Sequence, residues 1–586
     1  MKNLKIPKIQ KKLQDKNIDC LIINRTDEFL NEYIAQDSER LFWATDFSGS
    51  AGRAIINHEK SFLFVDGRYT FQAKEQVDEN VVSLLHHNDF SKELNKNFIK
   101  DKCIGLDPKL HSIEEVIKII ELAFKQKTKL YFTKINIIDE LWDNKPMRSY
   151  GEIFNHPIKF AGEESINKLN SFVNTLKKNN LDNYFLSSLD SIAWLLNLRG
   201  FDILHTPLAF SYLFVSIKSK PVLYLSVDKL NQDLKDKLNH IVSIKPIEEI
   251  DSVFNNLKHN PKIGFDFKNT SYYFYKLASE NKGIPFHLEN PCLLPKAAKN
   301  LVELQGSRKA HIRDGVSITK FLYWLKTHKN IEKENEISVA NKLLFFRKSN
   351  DLFHSISFDT ISAIGKNAAL PHYRADISNP VPMKNNSIYL SDSGGQYYDG
   401  TTDITRTVIL GTPNEEQQEK FTRVLKGHIN LSSHIFSEGT TGTDIDNLAR
   451  ASLIEVGCDY DHGTGHGIGS FLSVHEAPQR ISKKNMFPSV ELLPGMILSN
   501  EPGYYKEGDF GIRIENILIV QKASEGMLKF ENISWAPIDR DLIKAEILNI
   551  DELGWINNYH QTVYDKLSNF LTLEEKRWLQ DVTMPL

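Results

Sequence analysis

Several things are scarce in this chain of 586 residues. It has only four cysteines, Cys20, Cys103, Cys292 and Cys458, far apart and without a CxxC pair. That excludes a disulfide framework and a thiolate zinc knuckle, and fits a reducing, cytoplasmic compartment. Charge of one sign is not in excess: the formal net charge is −3. This removes the electrostatic case for nucleic acid or an anionic membrane as partner. Long hydrophobic runs are missing too. The best one, Leu208 to Ile217, follows Pro207 and is half a membrane span, so it predicts a buried strand. The basic N-terminus, MKNLKIPKIQKKLQDKN, has no apolar stretch, and no signal peptide is read there. Low-complexity segments and long linkers are absent as well. HGTGHGIG lacks both the GxGxxG spacing and a phosphate-binding lysine. His475-Glu476 begins like HExxH, but position 479 is Gln and Pro478 would break the helix. Gly49-Ser50-Ala51-Gly52 has the wrong glycine spacing for a nucleophile elbow.

What is present is enough chain for two to four domains, with the apolar and charged fractions of a globular protein. Residues 1–157 read as an α/β unit. A Lys-rich amphipathic helix precedes the short apolar strand at Cys20, and further strands follow at Ala54 and Phe62, the last closed by an Asp66-Gly67 turn. Residues 158–302 repeat the plan. Phe42-Trp43 before a strand pair resembles Ala193-Trp194 before Phe210–Ser216 and Val222–Val227, a period near 150 residues. A break falls between Pro291 and Lys299. A helix then carries Ile318, Leu322 and Leu325 on one face, and Pro413-Asn414 opens another with Phe421, Leu425 and His428. His428 is read as a packing or surface residue without a role.

The most informative stretch runs from Ser391 to Glu515. Asp392 follows the apolar Ile388-Tyr389-Leu390, at a strand end. Tyr398-Asp399-Gly400 is a turn, and the chain alternates from Asp403 through Thr405 and Thr407, so a hairpin-like return brings Asp392 and Asp403 together. Gly511 to Glu515 alternates as well, placing Arg513 and Glu515 on one strand face, with Arg513 able to orient a ligating carboxylate. Singly, an Asp before a turn or a core His is ordinary. As a set, Asp392, Asp403, His466, Glu501 and Glu515 offer only oxygen and imidazole nitrogen, which suits Mn, Co, Fe or Zn. Four carboxylates around one histidine are too negative for one structural ion. Two divalent ions sharing bridging carboxylates would balance them and make a hydrolytic site.

The motifs DSGGQYYDGTTDITRT, HGTGHGIGSFLSVHE and EPGYYKEGDFGIRIEN resemble the metallopeptidases of the pita-bread fold, and among them the three-domain Xaa-Pro aminopeptidases. The likeness runs nearly end to end, through NEYIAQDSERLFWATDFSGSAG, LFVDGRYTFQA, IAWLLNLRGFDILHTP and WINNYHQTVYDKL. It implies an α/β (α+β) chain: two creatinase-like N-terminal domains at 1–157 and 158–302, a pita-bread catalytic domain at 303–540, and a C-terminal extension at 541–586 packed on it. It implies two divalent ions, most often Mn(II). Asp392 would bind one and His466 with Glu501 the other, with Asp403 and Glu515 bridging. Glu501 would accept the proton of the attacking water. His372, His462 and His475 would contact the substrate and the tetrahedral oxyanion. Tyr505, Glu32 and Arg68 match further substrate-binding positions. Peptides with penultimate proline would be the substrates, and a homodimer is an assembly often found in the family. The alternatives are a prolidase acting on Xaa-Pro dipeptides, against which the duplication speaks, and a non-catalytic pita-bread binding protein, whose known examples lose ligands that this chain keeps.

Overall fold

The computed structural model describes residues 5–97, 99–255, 257, 259–484 and 489–586. The chain forms two compact units. One contains the residues up to His156 together with Glu163–Cys292; the other contains Pro157–Gly162 and Leu293–Leu586.

The first unit holds two six-stranded sheets. The first has β1 Cys20–Asn24, β2 Arg53–Asn57, β3 Ser61–Val65, β4 Ser83–His86, β5 Cys103–Leu106 and β6 Lys129–Phe132, in the order β4-β3-β2-β1-β5-β6. The second has β7 Asn183–Leu186, β8 Ser211–Ser216, β9 Val222–Leu225, β10 Ser243–Pro246, β11 Lys262–Phe265 and β12 Ile284–His287, in the order β10-β9-β8-β7-β11-β12. The pairing directions repeat as well. β1–β2 and β2–β3 are antiparallel while β3–β4, β1–β5 and β5–β6 are parallel, and the second sheet follows suit. The duplication read from two Trp-containing segments is thus a duplicated sheet. The apolar run from Leu208 becomes the buried central strand β8. Apolar residues cover both faces of the first sheet, with Leu21, Ile23 and Ile56 on one side and Cys20, Ile22 and Ile55 on the other. Two-sided burial is why these strands read as continuous apolar runs.

Pro157–Gly162 joins the second unit for a local reason. Gly162 has φ +74°, and a Cβ there would fall 2.3 Å from Asn300 Oδ1. Asn300 Nδ2 in turn donates to Ala161 O at 2.8 Å. Asn300 also caps the helix Leu301–Thr327 in a reciprocal capping box with Glu303. That helix carries Ile318, Leu322 and Leu325 into the core. The expected helix after Pro413 spans Glu415–Ser432, and the final helices turn Ile556, Val563 and Leu579 onto its Phe421, Val424 and Leu425. Around them are the strand triplet Ile361–Ile364, Ser387–Ser393 and Ile404–Leu410, a six-stranded sheet ending in Gly465–Gly467 and Glu476–Ile481, and the hairpin Gly503–Lys506 with Phe510–Arg513.

Candidate active site

Strand register sets the site. Ser387–Ser393 pairs antiparallel with Ile404–Leu410, so Asp392 lies opposite Thr405 and Asp403 sits at the entry of the returning strand. Glu515 falls in the short break between Phe510–Arg513 and Asn516–Ser524. Its amide donates to Thr405 O at 3.2 Å, and its Oε2 accepts from Thr405 Oγ1 at 2.7 Å. The alternating strand foreseen through Glu515 therefore ends two residues early. His466 is in the middle of Gly465–Gly467, and Glu501 follows Ile497–Asn500. Gly465 is forced by close approach, since a Cβ would lie 2.0 Å from Ser499 O.

Ligand atoms of Asp403, His466 and Glu515 all lie within 4.8 Å of one another, and the three residues are buried. His466 Nε2 is 3.6 Å from Asp403 Oδ2 and 3.4 Å from Glu501 Oε1. Its Nδ1 faces Gly467 O at 3.0 Å. A carbonyl can only accept, so Nδ1 carries a proton, and Nε2 is the ring nitrogen that faces the carboxylates. Asp392 Oδ1 and Asp403 Oδ1 are buried and, among the described residues, have no hydrogen-bond partner. Burial, then the charges of Glu515, Asp392 and Glu501, pushes the Asp403 carboxyl far up. Burial and the Asp392 charge do the same to Glu515, and burial raises Glu501 to about 7. Packed acids this poorly compensated, with two orphaned oxygens and an imidazole nitrogen among them, fit divalent cations.

A hydrogen-bonded chain backs the cluster. Arg513 Nη2 donates to Asp392 Oδ2 at 2.6 Å, its Nε to Thr405 Oγ1 at 3.2 Å, and its Nη1 to Tyr505 OH at 2.7 Å. Tyr505 OH is 2.9 Å from His462 Nε2, and His462 Nδ1 is 2.8 Å from Gly463 O. The carbonyl fixes the His462 proton on Nδ1, so Tyr505 is the donor to Nε2. Both ring nitrogens of His462 are then engaged within the chain, and a hydrogen bond to substrate would have to displace Tyr505. His475 packs edge-on to His466, ring centroids 4.2 Å apart. His372 lies on the turn after the Gly365–Ala369 helical turn, half-buried. Glu32 and Arg68 belong to the first unit. There Glu32 O accepts from Arg25, and Arg68 makes a two-pronged contact with Asp66 at 2.9 and 2.7 Å. His428 is fully buried against Asn500 O at 3.2 Å, and burial pushes its ring down to about 3, so it is a packing residue.

Sequence reasoning missed the supporting residues. Ser499 Oγ donates to Glu501 Oε1 at 3.1 Å and accepts from the His466 amide at 2.9 Å. Buried Arg450 holds the glycine-rich loop through His462 O at 2.8 Å, and Asp446 binds both Arg450 and Thr464. Alternation of Thr405 beside Asp403 was the one available signal. Nothing local marks Arg450.

Comparison with known proteins places this geometry. Residues 305–522 match Metallopeptidase family M24, 526–586 its C-terminal region, and both 5–134 and 144–303 a Creatinase/Prolidase N-terminal domain. The chain belongs to metallopeptidase family M24. It is 36% identical to the Laccaria bicolor protein named "Probable Xaa-Pro aminopeptidase P", over 99% of this chain and 93% of that one. A Paracoccidioides brasiliensis protein of the same name is 35% identical, with 99% of both chains covered. The crystal structure of X-prolyl aminopeptidase from Caenorhabditis elegans, described as a cytosolic enzyme with a di-nuclear active site, matches with a TM-score of 0.94 and 30% identity over the whole of both chains. The Bacillus anthracis Xaa-Pro dipeptidase structure matches at a TM-score of 0.52 and 26% identity. It covers 64% of this chain and 99% of its own.

Proposed function

We propose that this protein is a metal-dependent aminopeptidase that releases the N-terminal residue of peptides with proline in second position. The observation that carries the reading is the buried meeting of Asp403, His466 and Glu515, with Asp392 and Glu501 beside them. Full-length likeness to proteins named Xaa-Pro aminopeptidase supports it. The di-nuclear, cytosolic description of the C. elegans enzyme supports two divalent ions, which we assign as Mn(II), and a cytosolic location. Asp392 would hold one ion and His466 with Glu501 the other, with Asp403 and Glu515 shared. When bound, such ions supply Lewis acidity and lower the pKa of a water.

The chain's own groups do the rest. Ser499 occupies Glu501 Oε1, which leaves Oε2 to take the proton of the attacking water. Arg513 fixes Asp392 through one nitrogen and Tyr505 through another, so metal geometry and the His462 ring are set by one guanidinium. His475 and His372 would donate to the substrate and to the developing oxyanion. His462 would offer its ring face to the proline. The proline amide has no N–H for ordinary backbone pairing, and its ring fixes φ, so a pocket shaped to it favours proline over a flexible residue.

The test compares Arg-Pro-Pro, Arg-Ala-Pro and N-acetyl-Arg-Pro-Pro as substrates with Mn(II) present. Cleavage of the first alone is expected, and equal turnover of all three would end the reading. Prolidase action is the second reading. The match to the Bacillus anthracis dipeptidase leaves about a third of this chain outside it, which favours the longer enzyme. Turnover of a dipeptide but not a tripeptide would reverse that preference. Sedimentation of the purified protein tests the homodimer that the family suggests.

A further inference from the structure

The two N-terminal sheets can be aligned by register alone. Cys20 pairs with Ile104 as Asn183 pairs with Ile263, and Cys20 with Asn57 as Asn183 with Ser216. Extending this register makes Tyr212 the counterpart of Arg53. The pattern Gly-x-Asp-x-Lys-x-x-Ser occurs at 105–112 and again at 264–271. It makes Phe274 the counterpart of Glu115. The two loops face each other, with Ser112 bridging Ser271.

At these matched positions the repeats differ. In the second, Tyr212 and Phe274 have ring centroids 5.0 Å apart. Phe185 packs on both, at 5.6 and 4.5 Å, and rings fill the space. In the first, the same two positions form the ion pair Arg53 Nη1–Glu115 Oε1 at 3.2 Å, on the wall of a cavity of about 550 Å³. That cavity lies at the carboxyl ends of β1, β3 and β5. There the chain leaves β1 toward β2–β4 on one side and reaches β5–β6 on the other. Open α/β sheets bind ligands at such a switch point, and the volume suits a small molecule.

The lining states the ligand's chemistry. Glu115 is held by Asn24 Nδ2 and His111 Nδ1, each 3.1 Å from Oε2. Burial raises its carboxyl, but His111 and Arg53 outweigh burial and hold it at about 2, so it is anionic at neutral pH. Arg53 is half-exposed, its guanidinium 4.8 Å from the Phe90 ring. Exposed Lys268 comes from the second repeat, and Phe64 and Phe90 give an apolar wall. A phosphate group fits poorly. The first amides of the helix Ile113–Gln126 already donate to Thr270 O, Phe267 O and Ser112 Oγ.

We propose that this crevice binds a small zwitterion with an apolar body, a free amino acid. Its ammonium sits on Glu115, its carboxylate on Arg53 and Lys268, and its side chain against Phe64 and Phe90. The inference does not depend on the reading of the catalytic site. Titration calorimetry of the full, metal-loaded chain with L-phenylalanine tests it, with N-acetyl-L-phenylalanine and L-phenylalanine amide as single-charge probes. One site with Kd on the order of 1 mM or tighter is expected. Each single-charge probe, and Arg53→Gln, should weaken it by about tenfold or more. The double variant R53Y/E115F, copying the ring pair of the second repeat, should abolish binding while keeping a cooperative melt. If L-phenylalanine gives no heat with the unaltered chain, or binds Arg53→Gln with unchanged affinity, the proposal falls.

Discussion

The acidic cluster of the candidate active site and the ion network around Glu28 both enclose carboxylates, and they reach opposite states. Burial pushes Glu28, Asp403, Glu501 and Glu515 upward. At Glu28 it is outweighed by Arg148, 2.9 Å away, and Arg40, 3.0 Å away, and the carboxyl is held at about 2. Arg40 also grips Asp139 and Arg148 grips Asp37, so each cation is shared between acids on different segments. In the second unit Arg513 stands among Asp392, Asp403, Glu501 and Glu515, and its ion pair is with Asp392. The others are raised. The first network pairs its charges within the chain, Glu28, Asp37 and Asp139 against Arg40 and Arg148, although Asp37 Oδ1 and Arg40 Nη1 are left without a hydrogen-bond partner among the described residues. The second leaves negative charge for something else to neutralise, which separates a structural ion cluster from a cation site.

Removing acids should therefore have opposite consequences in the two places. The largest effect is expected for Asp403→Ala or Glu515→Ala, which should lower turnover by more than about 100-fold and lose bound metal together. Normal turnover with two ions by elemental analysis in either variant would break the contrast. Next comes His475→Ala, expected to lower kcat by about 10²–10³-fold with metal retained. Loss of metal would make His475 part of the cation's support. Tyr505→Phe keeps every carboxylate and breaks only the link from Arg513 to His462. About a tenfold loss of kcat/KM is expected, with metal content unchanged.

The smallest effect on activity, and a clear one on stability, belongs to Glu28→Gln. The folded carboxyl, at about 2, lies below its unfolded value near 4.5. Its contribution is thus present above about pH 4.5 and is lost as the pH falls toward 2, on the order of 3 kcal/mol in all. Denaturant midpoints measured from pH 7 to pH 3 should fall steeply for the unaltered chain and less for Glu28→Gln, which begins lower. Parallel curves would show that Glu28 is not held by its arginines.

Much of this was legible in the residues. Strands at Cys20, Ala54, Phe62 and Phe210 announce themselves by apolar runs, and the Asn414 helix start by its cap. The duplication is visible at two tryptophans, and Gly-x-Asp-x-Lys-x-x-Ser at both 105 and 264 is the sharper signal of it. His462 was read correctly as part of the loop, but its hydrogen-bond partners depend on Tyr505 and Gly463, which periodicity does not predict.

The sequence by itself determined the kinds of atom available at the site: oxygens from Asp392, Asp403, Glu501 and Glu515, a nitrogen from His466, and no thiolate among them. Local pattern also determined most strands and helix starts, because alternation and capping act over a few residues. Tertiary structure decided which groups are shared, which are spent on neighbours and which are left uncompensated. Arg513 meets Asp392, and Arg53 meets Glu115 where Tyr212 meets Phe274, only because elements far apart in sequence pack against one another. Side-chain direction alternates along a strand, so a slip of one residue would turn Asp392, Arg513, Arg53 or Tyr212 to the opposite face of its sheet and away from its partner.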